Sequence, residues 1–312
     1  MKSSLHKVLH QVLGKSMVDH AVTNLEKIGV DKIVTVIGYE AESVRAELQD
    51  RVEYAMQTEQ LGTGHAVMMT KELLEGLDGV TIVTYGDVPL LTEQTISNLF
   101  DYHQSQKAAI TILTACNDNP TGYGRIIRDE EGNVLRIVEQ KDANTEELLV
   151  KEINTGVCCY DNKVLFEALT KITNNNSQGE YYLTDLVGII RDMGLKVVAY
   201  VNEDFEETLG VNDRVQLAYA EKVLRKRINE FHMRNGVTII DPEATYIGTD
   251  VQIGQDVIIY PGTMITGPSI IANNVVIGAN SQIINSTIGE HTTINASVIS
   301  DSIIGASTTV GP

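Results

Sequence analysis

The chain has 312 residues, length for about two domains of ordinary size, and sets 24 Lys and Arg against 42 Asp and Glu for a formal charge of −18. So acidic a chain offers no basic face to nucleic acid or to an anionic membrane, and no apolar run nears the roughly 20 residues that cross a bilayer. Cys116, Cys158 and Cys159 lack C-x-x-C spacing and the opening MKSSLHKVLHQVLGKSM is too polar for a secretory signal, so neither disulfides nor a zinc site is indicated and a reduced, cytoplasmic setting is expected.

Residues 16–28 have the spacing of an amphipathic helix, 32–38 (KIVTVIG) read as a buried strand and 41–48 as a helix. The run Gln57–Ala66 (QTEQLGTGHA) sets Gly62 and Gly64 around Thr63, ahead of a helical stretch at 66–74. Glycines there either let a base or phosphate approach the backbone at a helix N-terminus, or simply make a tight turn. A second buried strand, 80–85 (VTIVTY), runs into Tyr85-Gly86-Asp87. A carboxylate at a strand's C-terminal end lies where open α/β sheets bind ligands, and its hard oxygens suit magnesium; Asp is equally common as a turn residue.

Helical 94–106 and strand-like 108–115 follow. Gly122-Tyr123-Gly124-Arg125 then leads into a strand pair, 125–128 and 134–139, turned at 129–133. Glu139 at its end is placed either to accept hydrogen bonds from sugar hydroxyls or to sit solvated. Asn154, within Glu-Ile-Asn-Thr-Gly, offers an amide to hydroxyls in the same way. Residues 163–172 read as a helix, 178–185 (QGEYYLTD) as an uncommon polar-aromatic run, 195–201 as a strand, and Asn212 as a second, distant oxygen ligand. The alternation predicts a mostly parallel sheet covered by helices. His6 and His10 lack a matching partner motif for a metal, and the absence of G-x-S-x-G and H-E-x-x-H leaves covalent catalysis without support.

A helix at 213–233, stopped by Asn235-Gly236, connects to a segment of different character with no Lys or Arg beyond Arg234. Isoleucine stands at 247, 253, 259, 265, 271, 277 and 283, and the series continues with small slips through Ile288, Ile294, Ile299, Ile304 and Val310. A period of six is the signature of a parallel β-helix in which each hexad forms one flat side.

These motifs occur in one order, LHKVLHQVLG, QTEQLGTGHA, YGDVPL, PTGYGRI, IVEQKDA, EINTG, NNNSQGEYYLTD and GVNDR, ahead of a hexapeptide repeat. The chain resembles the bacterial bifunctional N-acetylglucosamine-1-phosphate uridyltransferase/glucosamine-1-phosphate acetyltransferase family over nearly its whole length. The resemblance implies an α/β fold, with a Rossmann-like nucleotidyltransferase domain at 1–212, a linker helix at 213–235 and part of a left-handed parallel β-helix at 236–312. It implies a cytoplasmic homotrimer, assembled through the β-helix, that joins UTP to N-acetylglucosamine-1-phosphate for peptidoglycan and envelope polymers. Asp87 and Asn212 match magnesium ligands, with Asn212 also at the nucleotide. Gln57, Gly62 and Thr63 match uracil and nucleotide contacts, and Tyr85 and Gly86 line the same pocket. Gly124, Glu139 and Asn154 match the sugar-phosphate site, and Lys7 matches a catalytic lysine on the nucleotide phosphates.

The family opens with a strand and a glycine-rich L-A-A-G-x-G-T-R-M loop, and Met1 falls on that motif's methionine. The absence of a central strand predicts a void in the core and an unpaired sheet edge. His6 stands where the family has proline. Pro312 follows about twelve hexads, some four coils, and the family's residues for acetyl-CoA lie beyond it, so the chain reads as truncated at both ends. The alternatives are another sugar-1-phosphate nucleotidyltransferase and a non-catalytic trimeric β-helix scaffold.

Overall fold

The computed structural model describes residues 1–312, which form two compact units. One holds residues 3–9 and 18–210, the other residues 1–2, 10–17 and 211–312.

In the first unit the chain runs through α1 (Met17–Lys27), β1 (Val34–Ile37), α2 (Ala41–Leu48), β2 (Glu53–Met56), α3 (Thr63–Met68) and α4 (Lys71–Leu74). It continues with β3 (Val80–Val83), α5 (Glu93–Gln106), β4 (Ile110–Cys116), β5 (Arg125–Arg128) and β6 (Val134–Val138). Then come β7 (Glu152–Asp161), α6 (Asn162–Leu169), α7 (Leu186–Asp192) and β8 (Val197–Asn202). The helix expected at 66–74 is two short ones, broken at Met69-Thr70, where the Thr70 hydroxyl donates to the Val67 carbonyl at 2.7 Å.

The sheet departs from the expected parallel pattern. β8 and β4 are parallel, but the ten-residue β7 runs antiparallel to β4 along one side and to β5 and β3 along the other, and β6 is antiparallel to β5. One antiparallel strand thus binds the sheet's two halves. The core on one face gathers Ile110, Ile112, Ile126, Leu165, Phe166 and Leu186. Cys158 joins that cluster and Cys159 the one on the opposite face, as alternating strand residues must. Burial pushes the Cys158 thiol up to about 12, so both cysteines pack rather than react.

Strands β1 and β2 form a separate parallel pair. The facing edges of β1 and β3 pair with nothing, and between them lies a cavity of about 810 Å³. Val34–Ile37 and Val80–Val83 line it, with Val18, Ala21 and Leu25 of α1 and Val67 of α3 closing it. The void and the unpaired edge expected from the sequence are both present. Ala21→Leu places apolar volume into this space without disturbing helix propensity and is expected to stabilise the protein by about 1–2 kcal/mol, raising Tm by a few degrees. Thermal unfolding followed by circular dichroism reads the shift, and a lowered Tm would show that the space is closed in solution.

In the second unit, Asp213 caps α8 (Arg214–Arg234) by accepting from the N–H groups of Val215 and Gln216 at 2.9 and 2.8 Å. Ile228 and Met233 of α8 pack onto the first coil of a parallel β-helix, and Asn229 donates to the carbonyls of Pro242 and Thr245 at 2.8 and 3.0 Å. The coils stack as three flat parallel sheets, with Ile259 beside Ile277, Ile265 beside Ile283 and Ile271 beside Ile288. Every isoleucine of the strict series except Ile253 is buried. Corners need left-handed backbone, which Asp256, Asn274 and Asn280 supply at φ 58°, 59° and 59°. Other corners bury hydroxyls that replace backbone partners: Ser286 Oγ donates to the Ile284 carbonyl and accepts from the Ser302 N–H at 2.7 and 3.1 Å. Ile277→Ala leaves a cavity between two coils and is expected to cost about 3–4 kcal/mol, read from the guanidinium midpoint of the β-helix.

Candidate active site

The C-terminal ends of β2, β3, β6 and the middle of β7 carry the residues singled out in the sequence. β3 delivers Tyr85, Gly86 and Asp87 just past its last residue. Lys7, on a single 3₁₀ turn at Lys7–Leu9, sets its Nζ on Asp87 Oδ2. Both side chains keep partial solvent access, 36% and 22%, so the pair is open to exchange with an incoming ligand. Gly86 lies close against Val8 and Val18, where a Cβ would meet Val18 at 3.3 Å. Tyr85 is half-buried, and desolvation foremost holds its hydroxyl protonated well above the ordinary tyrosine range.

Gln57 follows β2, and its N–H donates to the Ile37 carbonyl at 2.8 Å. Its Nε2 donates to the Gly62 carbonyl at 3.2 Å and meets His65 Nδ1 at 3.1 Å. Gly62 has φ 108°, and a Cβ there would stand 2.7 Å from the Tyr181 carbonyl oxygen, so only glycine fits. Two backbone bonds clamp this turn: the Tyr181 N–H donates to the Leu61 carbonyl at 2.8 Å and the Gly64 N–H to the Tyr181 carbonyl at 2.7 Å. Thr63 opens α3, its Oγ1 accepting from the Leu183 N–H at 3.1 Å.

On the other side of β7, the Asn154 N–H donates to the Gly124 carbonyl at 2.9 Å. Asn154 Oδ1 accepts from the Gly156 N–H at 3.0 Å. A Cβ on Gly124 would be 3.0 Å from Ile137 and 3.4 Å from Glu139 Oε2. Glu139 Oε1 accepts from the Thr184 hydroxyl at 3.0 Å. Burial raises the Glu139 carboxyl above the ordinary glutamate range, Asp142 and Asp185 add repulsion, and the Thr184 bond opposes both. Asn212 belongs to the second unit, where its N–H donates to Gln216 Oε1 at 2.7 Å.

Residues of the QGEYYLTD run hold the site without having been assigned to it. Tyr181 fixes the glycine turn, Leu183 binds Thr63 and Thr184 reaches Glu139, so one short segment sets the positions of both ends. The signal for it was the unusual polar-aromatic composition ahead of an apolar helix.

The structure has no group of three or more His, Cys, Asp or Glu side chains set for a metal. Magnesium asks for less: one or two carboxylates, waters and substrate phosphates. Asp87, whose carboxylate already faces a cationic group, has the hard oxygen such an ion takes. The arrangement can therefore neutralise phosphate charge with Lys7 and a cation while the flanking amides and Glu139 accept or donate to hydroxyls.

Residues 2–216 match the family model described as nucleotidyl transferase, and residues 250–285 match the bacterial transferase hexapeptide model of six repeats. The chain is 55% identical over all 312 residues to the bifunctional protein GlmU of Geobacillus sp. (strain WCH70), covering 68% of that protein. It is likewise 55% identical to that of Pediococcus pentosaceus, covering 67%, and 54% identical to that of Enterococcus faecalis, covering 68%. No helix is long and apolar enough to cross a membrane.

The Glu139 carboxyl is expected to titrate above the ordinary glutamate value of 4.5. Thr184→Val removes the one hydrogen bond that favours its ionised form, so the midpoint moves further up. Carbon-detected NMR of labelled glutamates, assigned with Glu139→Gln, reads both values, and a midpoint at or below 4.5 would contradict the buried placement.

Proposed function

The chain belongs to the bifunctional GlmU proteins, and from that premise we propose which of its residues carry out uridylyl transfer and how. The enzyme joins UTP to N-acetylglucosamine-1-phosphate, giving UDP-N-acetylglucosamine and pyrophosphate; the family also acetylates glucosamine-1-phosphate with acetyl-CoA, and the hexapeptide part fits that second activity. The observation that carries the reading is the Lys7 ammonium on the Asp87 carboxylate at the open end of β3, beside the Gln57 turn.

In this reading Gln57, Gly62 and Thr63 take the uracil end, Tyr85 and Gly86 wall the pocket, and Gly124, Glu139 and Asn154 hold the sugar hydroxyls. An oxygen of the sugar phosphate attacks the α-phosphorus of UTP in line and pyrophosphate leaves. Lys7 moves from Asp87 to the nucleotide phosphates and offsets the charge that builds on them. Catalysis is then mostly positioning and electrostatics, with no covalent intermediate. Asp87 would hold magnesium, which would supply further positive charge to the phosphates.

Residues 1–212 form the uridyltransferase domain in this proposal, 213–235 the linker helix and 236–312 part of the acetyltransferase β-helix. A cytoplasmic homotrimer through the β-helix completes it. The outward-facing apolar side chains Ile270, Val298 and Ile303, the last 85% exposed, suit such an interface.

The test mixes the chain with UTP, N-acetylglucosamine-1-phosphate and magnesium and measures pyrophosphate. Turnover is expected, and Asp87→Ala, still folded by circular dichroism, is expected to lose at least about 100-fold. Equal turnover in the variant would remove Asp87 from the mechanism, and UTP binding without turnover in the parent chain would favour a scaffold.

A further inference from the structure

We infer that His65 is a positioning residue which sets the choice of uracil over cytosine by fixing the orientation of the Gln57 amide. The inference rests on the assignment of Gln57 to the nucleotide base.

The Gly62 carbonyl can only accept, so the atom of Gln57 facing it at 3.2 Å must be the NH₂ nitrogen. The same nitrogen faces His65 Nδ1 at 3.1 Å, and an NH₂ group can only donate. His65 Nδ1 therefore accepts, which fixes the imidazole as the tautomer with its hydrogen on Nε2. Both hydrogens of the Gln57 amide are now committed within the protein. What the side chain has left for a ligand is Oε1, an acceptor with no donor beside it.

The pyrimidines differ at this point of their Watson–Crick edge. Uracil carries an N3–H donor, which Oε1 accepts. Cytosine presents an N3 lone pair, which would face the oxygen with repulsion and leave two acceptors unpaired. A free glutamine could satisfy cytosine by rotating its amide through 180°, offering NH₂ instead. In this site that rotation would turn Oε1 toward the Gly62 carbonyl and the His65 lone pair together. The Gly62 carbonyl also accepts from the Ala66 N–H at 3.1 Å, in a turn clamped on both sides by Tyr181, so it cannot turn away. His65 lies on α3, one turn past Gly62, and has no need to touch the base.

The experiment compares kcat/KM for UTP and CTP in the parent chain, His65→Leu and His65→Gln, with pyrophosphate as the readout. His65→Leu removes one of the two acceptors that hold the amide and is expected to lower the UTP:CTP ratio about tenfold, one hydrogen bond's worth of orientation. His65→Gln can turn its carbonyl oxygen to Gln57 and is expected to restore most of the ratio. A structural role for His65 would instead lower both rates together and leave the ratio unchanged, which overturns the inference while the uridylyl reading stands. A parent chain that turns over UTP and CTP alike overturns the inference while the uridylyl reading stands, and one that turns over neither overturns both.

Discussion

One strand ties the candidate site together. β7 is bonded to β4 along one side and shares its other side between β5 and β3, so Asn154, the Gly124 turn and the Tyr85 end of β3 are fixed through a single backbone. Its middle is irregular: between the pairs Ile112 with Cys158 and Thr114 with Asn154, β7 carries extra residues against β4, and Thr155 Oγ1 donates to the Leu113 carbonyl at 2.8 Å. Such bulges re-aim side chains beside active sites. Gly156 within it has φ 86°, and a Cβ there would fall 2.0 Å from the Tyr85 ring. The missing side chain is what lets Tyr85 lie across the strand, and the same bend brings the Gly156 N–H onto Asn154.

Charge in this acidic chain is arranged by region. Lys7 neutralises Asp87 where phosphate chemistry is proposed, while Glu139 is kept partly shielded by burial and by Thr184. Beyond Arg234 there is no Lys or Arg, and the β-helix needs none: its coils are joined by ladder hydrogen bonds, isoleucine stacks and buried hydroxyls. Stability is correspondingly uneven. The β-helix core is filled coil by coil, whereas the first unit has an open space between β1 and β3 whose walls are apolar. Apolar side chains facing empty space forgo dispersion contacts, so this is where the first unit is weakest.

Much of this was legible in the sequence. The six-residue period named the β-helix because only one geometry repeats an inward side chain at that spacing, and the chain's order of motifs pointed to the strand ends that carry Asp87, Glu139 and Asn154. The antiparallel course of β7 was not legible, because a buried strand reads the same in either direction. Tyr181 and Thr184 were hidden for another reason. They act through backbone and hydroxyl bonds to residues far along the chain, and such partners leave no periodic trace. The break between α3 and α4 turned on one threonine's local bond, below what apolar spacing can resolve.

The claim that the two sides of β7 form one site, with nucleotide on one and sugar on the other, is tested most directly by a crystal structure of the chain with magnesium, UTP and N-acetylglucosamine-1-phosphate. The account predicts uracil against Gln57, sugar hydroxyls against Glu139 and Asn154, and Lys7 drawn from Asp87 to the phosphates. Nucleotide bound elsewhere, with Lys7 still on Asp87, would contradict it.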